Sequence, residues 1–298
     1  NNSVIGDWLE YNNFSSYFIN RYITPIASAI WSCSNKNALL FPTTTFLYFF
    51  YHHGLLNIKD RPKWKTVKYG SQQYIKNIVE KSNFNYEINS SIEAIYPKNN
   101  SVCIRLKDKE IDYDNVIMAC HADQSAKLIK DVDKEIYKTL NYFKFSKNKV
   151  VLHSSKQFMP KNKSLWSSWN YTSSLDSIRK NNEKPIQVTY WMNLLQNIDK
   201  KYPLFVTLNP EEGSISKNKI YEEILYKHPI LDENALKGQS KLENIQGLNN
   251  IWFAGAWTKY GFHEDGIKSA LHIAKKLGTN SPWKLDSKYV KGKIYSSQ

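Results

Sequence analysis

Residues 263–266, His-Glu-Asp-Gly, set an imidazole and two carboxylates just ahead of a stretch with helical period. Upstream lies a short apolar run, Ile251-Trp252-Phe253-Ala254, which Gly255 ends. A loop dense in aromatics (Trp257, Tyr260, Phe262) joins the two. The first N–H groups of a helix have no partner within it, and its dipole leaves positive charge there. Glycine just before them permits a tight turn and close backbone approach. Strand, glycine loop and helix N-terminus therefore form a site for something electron-rich. The same pattern also reads as an ordinary strand–loop–helix closing an α/β sheet. The helix itself begins with Glu264 and Asp265 and ends with Lys275 and Lys276, in accord with its dipole. Its apolar positions Ile267, Ala270, Leu271, Ala274 and Leu277 predict one buried face.

Other reactive side chains are few. His121-Ala122-Asp123-Gln124 starts a second helix, and His121 reads as a helix-start hydrogen-bonding residue in preference to a catalytic acid. His52 and His53 are adjacent, so they point apart on a helix and mark its end rather than a metal pair. Three cysteines, Cys33, Cys103 and Cys120, form no CxxC. Neither a disulfide framework nor a zinc site is suggested, and a reducing compartment fits.

The elements that must position these residues follow from composition and pattern. The chain has 298 residues, enough for one large or two modest domains. Its net charge is +14, but the basic residues are dispersed and do not cluster with stacking aromatics, which argues against nucleic-acid binding. Residues 3–12 read as a short helix, and 14–31 as helical but broken at Pro25. The most apolar stretch, 39–56, is too short for a bilayer, which needs about 20 apolar residues. It reads as a buried core helix, as the wall of an apolar tunnel, or as a helix touching a membrane. Residues 60–81 run from a loop past Gly70 into a helix. Residues 85–96 and 101–106 alternate as a hairpin around Pro97–Asn100, and 115–119 form a second buried strand. Between 147 and 228 five strands occur with no helix between them, which means an antiparallel or mixed sheet. Trp166, Trp169, Tyr171, Tyr190 and Trp191 there line a pocket or simply pack the sheet. A helix and loop, 232–247, lead to the Ile251 strand, and 279–298 read as a polar tail held by Trp283.

The pattern FAGAW…YGFHEDG…SA resembles the C-terminal flavin-contacting motif of FAD-dependent oxidoreductases of the amine oxidase superfamily. More narrowly, it resembles the predicted FAD/NAD-binding oxidoreductases encoded beside, or fused to, cyclopropane-fatty-acid synthase. SVIGDWLE, RYITPIASAIWS and HADQ extend the resemblance. The chain departs at Lys259 and Ala270, where that family has Gly, and at Cys120, where it has Thr.

The resemblance implies an α/β fold: a Rossmann-like FAD/NAD(P)-binding domain interleaved with an α+β substrate domain built on a mixed sheet. The GxGxxG fingerprint such a domain requires is absent. The expectation is a fragment whose cofactor domain is incomplete at its N-terminus, with a central strand missing and apolar surface exposed in its place. Segment boundaries follow: 1–65 helical substrate part, 66–130 FAD-binding segment, 131–245 substrate domain, 246–280 C-terminal FAD-binding segment, 281–298 tail. The implied cofactor is FAD. The implied contacts are Ile92 by its backbone, Ala119, Ala254, Gly255, Ala256, Phe262, His263, Glu264, Asp265, Gly266 and Ile267. Gly255 and Ala256 would lie near pyrophosphate, and the Glu264 N–H at flavin O2. Lys149 and His263 are the candidates for a catalytic role, because many amine oxidases set a Lys near flavin N5. The implied activity is flavin-mediated oxidation or desaturation of a small or acyl-lipid substrate. A cyclopropane-fatty-acid synthase is the implied partner, with a cytoplasmic, membrane-peripheral location. The competing reading is a degenerate, non-catalytic partner of such a synthase that binds no flavin.

Overall fold

A computed structural model describes residues 3–57, 59, 65–172, 187–281 and 283. The chain divides into two compact units, residues 1–88 with 144–233 and residues 89–143 with 234–298.

The first unit joins helices to a five-stranded sheet. Its helical part packs around Trp31, which stacks on Phe41 (4.6 Å) and meets Phe46 and Phe49 at 5.8 and 5.0 Å. Phe46, Phe49 and Phe50 lie on the helix Thr43–His52 and are buried. The apolar 39–56 stretch is thus a core element. His53 caps that helix, its Nδ1 2.9 Å from the Phe49 carbonyl, in keeping with a helix end. Pro25 does not break the 16–31 segment. A π-turn, Ile19–Ile23, precedes it, and Pro25 sits in the first turn of the helix Thr24–Trp31, where a missing N–H is tolerated. The helix Gln72–Lys81 also belongs to this unit, with Ile75 and Ile78 exposed.

Five strands make the sheet in the order β6-β7-β8-β5-β9: β5 Lys144–His153, β6 Trp169–Thr172, β7 Gln187–Trp191, β8 Phe205–Leu208 and β9 Ile220–Ile230. Every pairing among the described residues is antiparallel, one of the two arrangements the strand run implies. Ten residues of β5 pair with β9, and Pro229 is accommodated because β9 is an edge. Beneath β8, His153, Thr207 and Thr189 form a buried polar chain, with Nε2 to Thr207 Oγ1 2.7 Å and Thr207 Oγ1 to Thr189 Oγ1 2.9 Å. The Ser155 N–H donates to His153 Nδ1 (3.1 Å), so Nε2 carries the proton. Burial pushes this imidazole down to about 4 from 6.5.

The second unit holds an antiparallel meander, β1 Ile92–Pro97, β2 Val102–Leu106 and β3 Glu110–Tyr113, and a parallel pair, β4 Val116–Met118 and β10 Ile251–Phe253. The hairpin closes at Lys98–Ser101, and β3, short and polar, is a strand the sequence pattern does not reveal. The helices Lys134–Leu140 and Glu233–Ile245 pack in this unit rather than with the five-stranded sheet. Gly238 explains the closeness: a Cβ there would stand 2.8 Å from the Phe143 ring. Trp283 is 49 % exposed. The rest of the 281–298 segment, Ser281 apart, lies outside the described residues.

No described helix is long and apolar enough to cross a membrane.

Candidate functional site

β4 and β10 run side by side with Ile251, Trp252 and Phe253 opposite Val116, Ile117 and Met118. Their carboxyl ends therefore meet, and the Ala254 N–H donates to the Met118 carbonyl at 3.0 Å. The carboxyl ends of parallel strands are where open α/β sheets bind ligands. The outer edge of β10 is closed by a side chain. The Gln246 amide accepts from the Phe253 N–H (2.9 Å) and donates to its carbonyl (2.8 Å), as a neighbouring strand would. The outer edge of β4 carries no strand among the described residues, and Ile117 is 48 % exposed.

Past β10 the chain turns at Gly255, with φ 143° and ψ 163°. This backbone region is essentially restricted to glycine. A Cβ at Gly255 would also lie 2.7 Å from Trp257 Nε1. Trp257 is buried, meets the Phe143 ring edge-on at 4.6 Å, and donates its indole N–H to the Cys120 carbonyl at 3.0 Å. That bond ties the loop after β10 to the loop after β4. The Gly255 requirement is thus set by packing within the protein itself.

The helix His263–Lys276 follows. Its inward face is not the expected apolar stripe. Asp265 and Ile273 are buried, Gly266 and Ser269 partly so, whereas Ile267 is 47 % and Leu277 40 % exposed. Polar groups set this rotation. Ser269 Oγ accepts the Gly255 N–H (3.0 Å) and donates to the Gly266 carbonyl (2.7 Å), pinning the helix to the turn. Asp265 Oδ2 accepts the N–H groups of Tyr260 (3.2 Å) and Phe262 (3.1 Å), which fixes the aromatic loop. Burial raises the Asp265 pKa, against the lowering by these backbone donors. Asp265 is accordingly a cap of this helix.

Two features of the helix start are not used by the protein. The Glu264 N–H has no hydrogen bond among the described residues, and the Glu264 side chain turns to Lys268 at 3.3 Å. Gly266 has an ordinary helical φ, and a Cβ there would meet nothing closer than the Ala256 nitrogen at 3.8 Å. Gly255 is needed by the fold, then, while Gly266 is not.

The structure brings Ala119, Ala254, Gly255, Ala256 and the 262–267 segment to one end of the parallel pair. Ile92 opens the antiparallel meander of that unit and is 39 % exposed. His121 is the N-cap of the helix Ala122–Leu128, with its N–H bonded to Gln124 Oε1 at 3.1 Å. Lys149 belongs to the other unit, where its ammonium pairs with Glu223 at 3.0 Å. Trp257, Ser269 and Gln246 were not singled out as positioning residues. The aromatic density of the loop pointed to the first, and nothing in the sequence pattern pointed to the others.

No protein-family model and no curated protein matches the chain. Solved structures do. The chain is similar to a CLA-producing fatty acid isomerase from P. acnes, with TM-score 0.64 and 14 % identity over 92 % of this chain and 66 % of that one. It is similar to a putative protoporphyrinogen oxidase from Exiguobacterium sp. 255-15 (TM-score 0.60, 10 % identity, 92 % of this chain and 66 % of that one). A putrescine oxidase redesigned in its cofactor binding gives TM-score 0.60 and 11 % identity, over 92 % of this chain and 68 % of that one. The chain spans 66 % of the length of the first two. The α/β fold it adopts is one shared with these enzymes.

Proposed function

We propose that the protein is an FAD-dependent oxidoreductase whose flavin lies over the helix start at 262–267. The observation that carries this is Gly266. Glycine in a helix costs roughly 0.5–1 kcal/mol relative to alanine, and here no packing requires it. It leaves a bare strip of backbone beside the unbonded Glu264 N–H, at the carboxyl ends of two parallel strands. Such a surface suits a flat, electron-rich ring that must approach the main chain closely. Gly255, Ala256, Glu264 and Gly266 would hold the group by their backbone, and Asp265 would hold the loop that borders it. Bound there, FAD would supply the hydride and electron chemistry, and the chain's part is to place it and favour negative charge near the helix dipole. The fold shared with a putrescine oxidase redesigned in its cofactor binding supports the reading.

A lipid-like substrate and a cyclopropane-fatty-acid synthase partner belong to the same proposal. Their supports are the sequence resemblance and the fold shared with a fatty acid isomerase. The test is purification without added cofactor, followed by titration with FAD. A flavin spectrum, or saturable FAD binding at one site per chain, is expected. A protein that neither carries nor takes up FAD refutes the proposal.

A further inference from the structure

We propose a second binding site, in the unit that carries the five-stranded sheet, for a phosphate monoester of an apolar group. A cavity of 260 Å³ there is lined by Lys156, Lys163, Trp166, Trp191, Lys200 and Pro203. None of these residues belongs to the flavin-site segments. The volume lies just under the roughly 300–1,000 Å³ of sites for drug-sized molecules, so the ligand is small.

Its walls are chemically divided. The apolar part is the indole pair, Trp166 and Trp191, with centroids 5.1 Å apart and planes at 90°. Trp166 also meets the buried Phe205 ring edge-on at 5.9 Å. The rim is cationic: three lysines from separate stretches converge on it, one after β5, one in the 3-10 turn Lys163–Leu165 and one in the loop before β8. Among the described residues no carboxylate pairs with any of the three. The contrast with neighbouring lysines is direct. Lys201 is 3.3 Å from Asp199, and Lys149 is 3.0 Å from Glu223. Lys200 instead lies 5.5 Å over the Trp191 ring.

The cavity is also built to hold its shape. Buried Asn193 accepts from the Trp191 indole N–H (3.1 Å) and the Leu204 N–H (2.9 Å). Its amide donates to the carbonyls of Asp199 (2.9 Å) and Tyr202 (2.8 Å). One side chain therefore clamps the loop that carries Lys200 and Pro203 against Trp191. The Trp166 indole N–H is fixed to the Pro160 carbonyl at 2.8 Å. A preformed site loses less freedom on binding. An anion seated in the cavity would meet positive charge from lysines of three separate stretches. Lysine binds phosphate as a point charge, and a doubly charged phosphate head offsets more of the rim than a carboxylate does. The indole floor takes the apolar part.

The test is a titration of the protein, without added flavin, followed by the indole N–H signals of Trp166 and Trp191 in NMR spectra. The probes are phenyl phosphate, inorganic phosphate, phenol and benzoate. Phenyl phosphate should shift both signals along one saturating curve and bind more tightly than the other three. Replacing the three exposed lysines together (Lys156→Gln, Lys163→Gln, Lys200→Gln) should weaken it about tenfold or more while the remaining indole signals stay unchanged. The proposal is overturned by any of three results: no saturable shift, a shift the triple variant does not weaken, or equal binding by phosphate, phenol or benzoate. None of these results bears on whether FAD binds at 262–267.

Discussion

Replacing Gly255 by alanine should unfold the turn after β10 from within. Two terms oppose the new methyl group. The backbone at φ 143°, ψ 163° is a region where a non-glycine residue costs about 1–3 kcal/mol. The Cβ would also stand 2.7 and 2.8 Å from Nε1 and Cδ1 of Trp257. That indole is 2 % exposed, bonded to Cys120 and packed on Phe143, so it has nowhere to move without losing both contacts. Overpacking of this kind typically costs roughly 1–3 kcal/mol. The expected loss is therefore about 2–6 kcal/mol, read as a lowered urea midpoint at unchanged slope. Repeating Gly255→Ala in a Trp257→Leu background separates the terms, since only the backbone cost should remain. A loss below about 1 kcal/mol in the parent protein, or an identical loss in both backgrounds, would refute the reasoning. The experiment also disqualifies bulky replacements of Gly255 as tests of cofactor binding, because they damage the fold first.

Further expectations concern single side chains. Asp265→Ala removes the acceptor for two backbone donors and should destabilise the protein by about 2 kcal/mol, with faster amide exchange at Tyr260 and Phe262; unchanged exchange would contradict the capping role. Gln246→Ala strips β10 of both its edge partners and should cost about 1–3 kcal/mol, measured by urea unfolding, and no loss would mean that water serves that edge as well. His153 is held neutral by burial down to about pH 4. As pH falls through 6.5 the unfolded chain takes up a proton that the folded chain refuses, so stability falls until about pH 4, by roughly 3 kcal/mol in all. A His153→Gln protein should lose less stability than the parent between neutral pH and about pH 5; parallel curves would rule this histidine out as the cause.

Much of the architecture was legible because burial leaves a pattern. The apolar runs at 115–119 and 251–254 gave the two strands that pair in parallel, and the strand-rich 147–228 region gave the five-stranded sheet. Pro97–Asn100 between alternating stretches gave the hairpin. What escaped was structure made by polar groups. The helix at 263–276 was phased on Ile267 and Leu277, yet Ser269 and Asp265 orient it through hydrogen bonds that an apolar count cannot register. Gln246 closes a sheet edge with a side-chain amide, and its type and spacing carry no strand signal. Pro25 reads as a break by its type, but its place in the first turn of the helix Thr24–Trp31, after a π-turn, has no sequence mark. The convergence of Lys156, Lys163 and Lys200 exists only once the sheet brings three separate stretches together. The glycine loop was visible from the start, but the sequence does not distinguish Gly255, which Trp257 demands, from Gly266, which nothing in the chain demands.

That distinction supplies the most direct test. Gly266→Ala adds one methyl group where the nearest heavy atom would be 3.8 Å away. Helix propensity alone predicts that the protein without flavin becomes more stable, by roughly 0.5–1 kcal/mol. If flavin lies against that backbone, the same methyl group must weaken FAD binding, by about tenfold or more for a contact worth about 1.4 kcal/mol. Urea unfolding without cofactor and an FAD titration, both on parent and variant, give the two numbers. The account predicts a stabler protein that binds FAD less tightly. A variant that is stabler and binds FAD as tightly as the parent would contradict it, and the flavin would have to lie elsewhere.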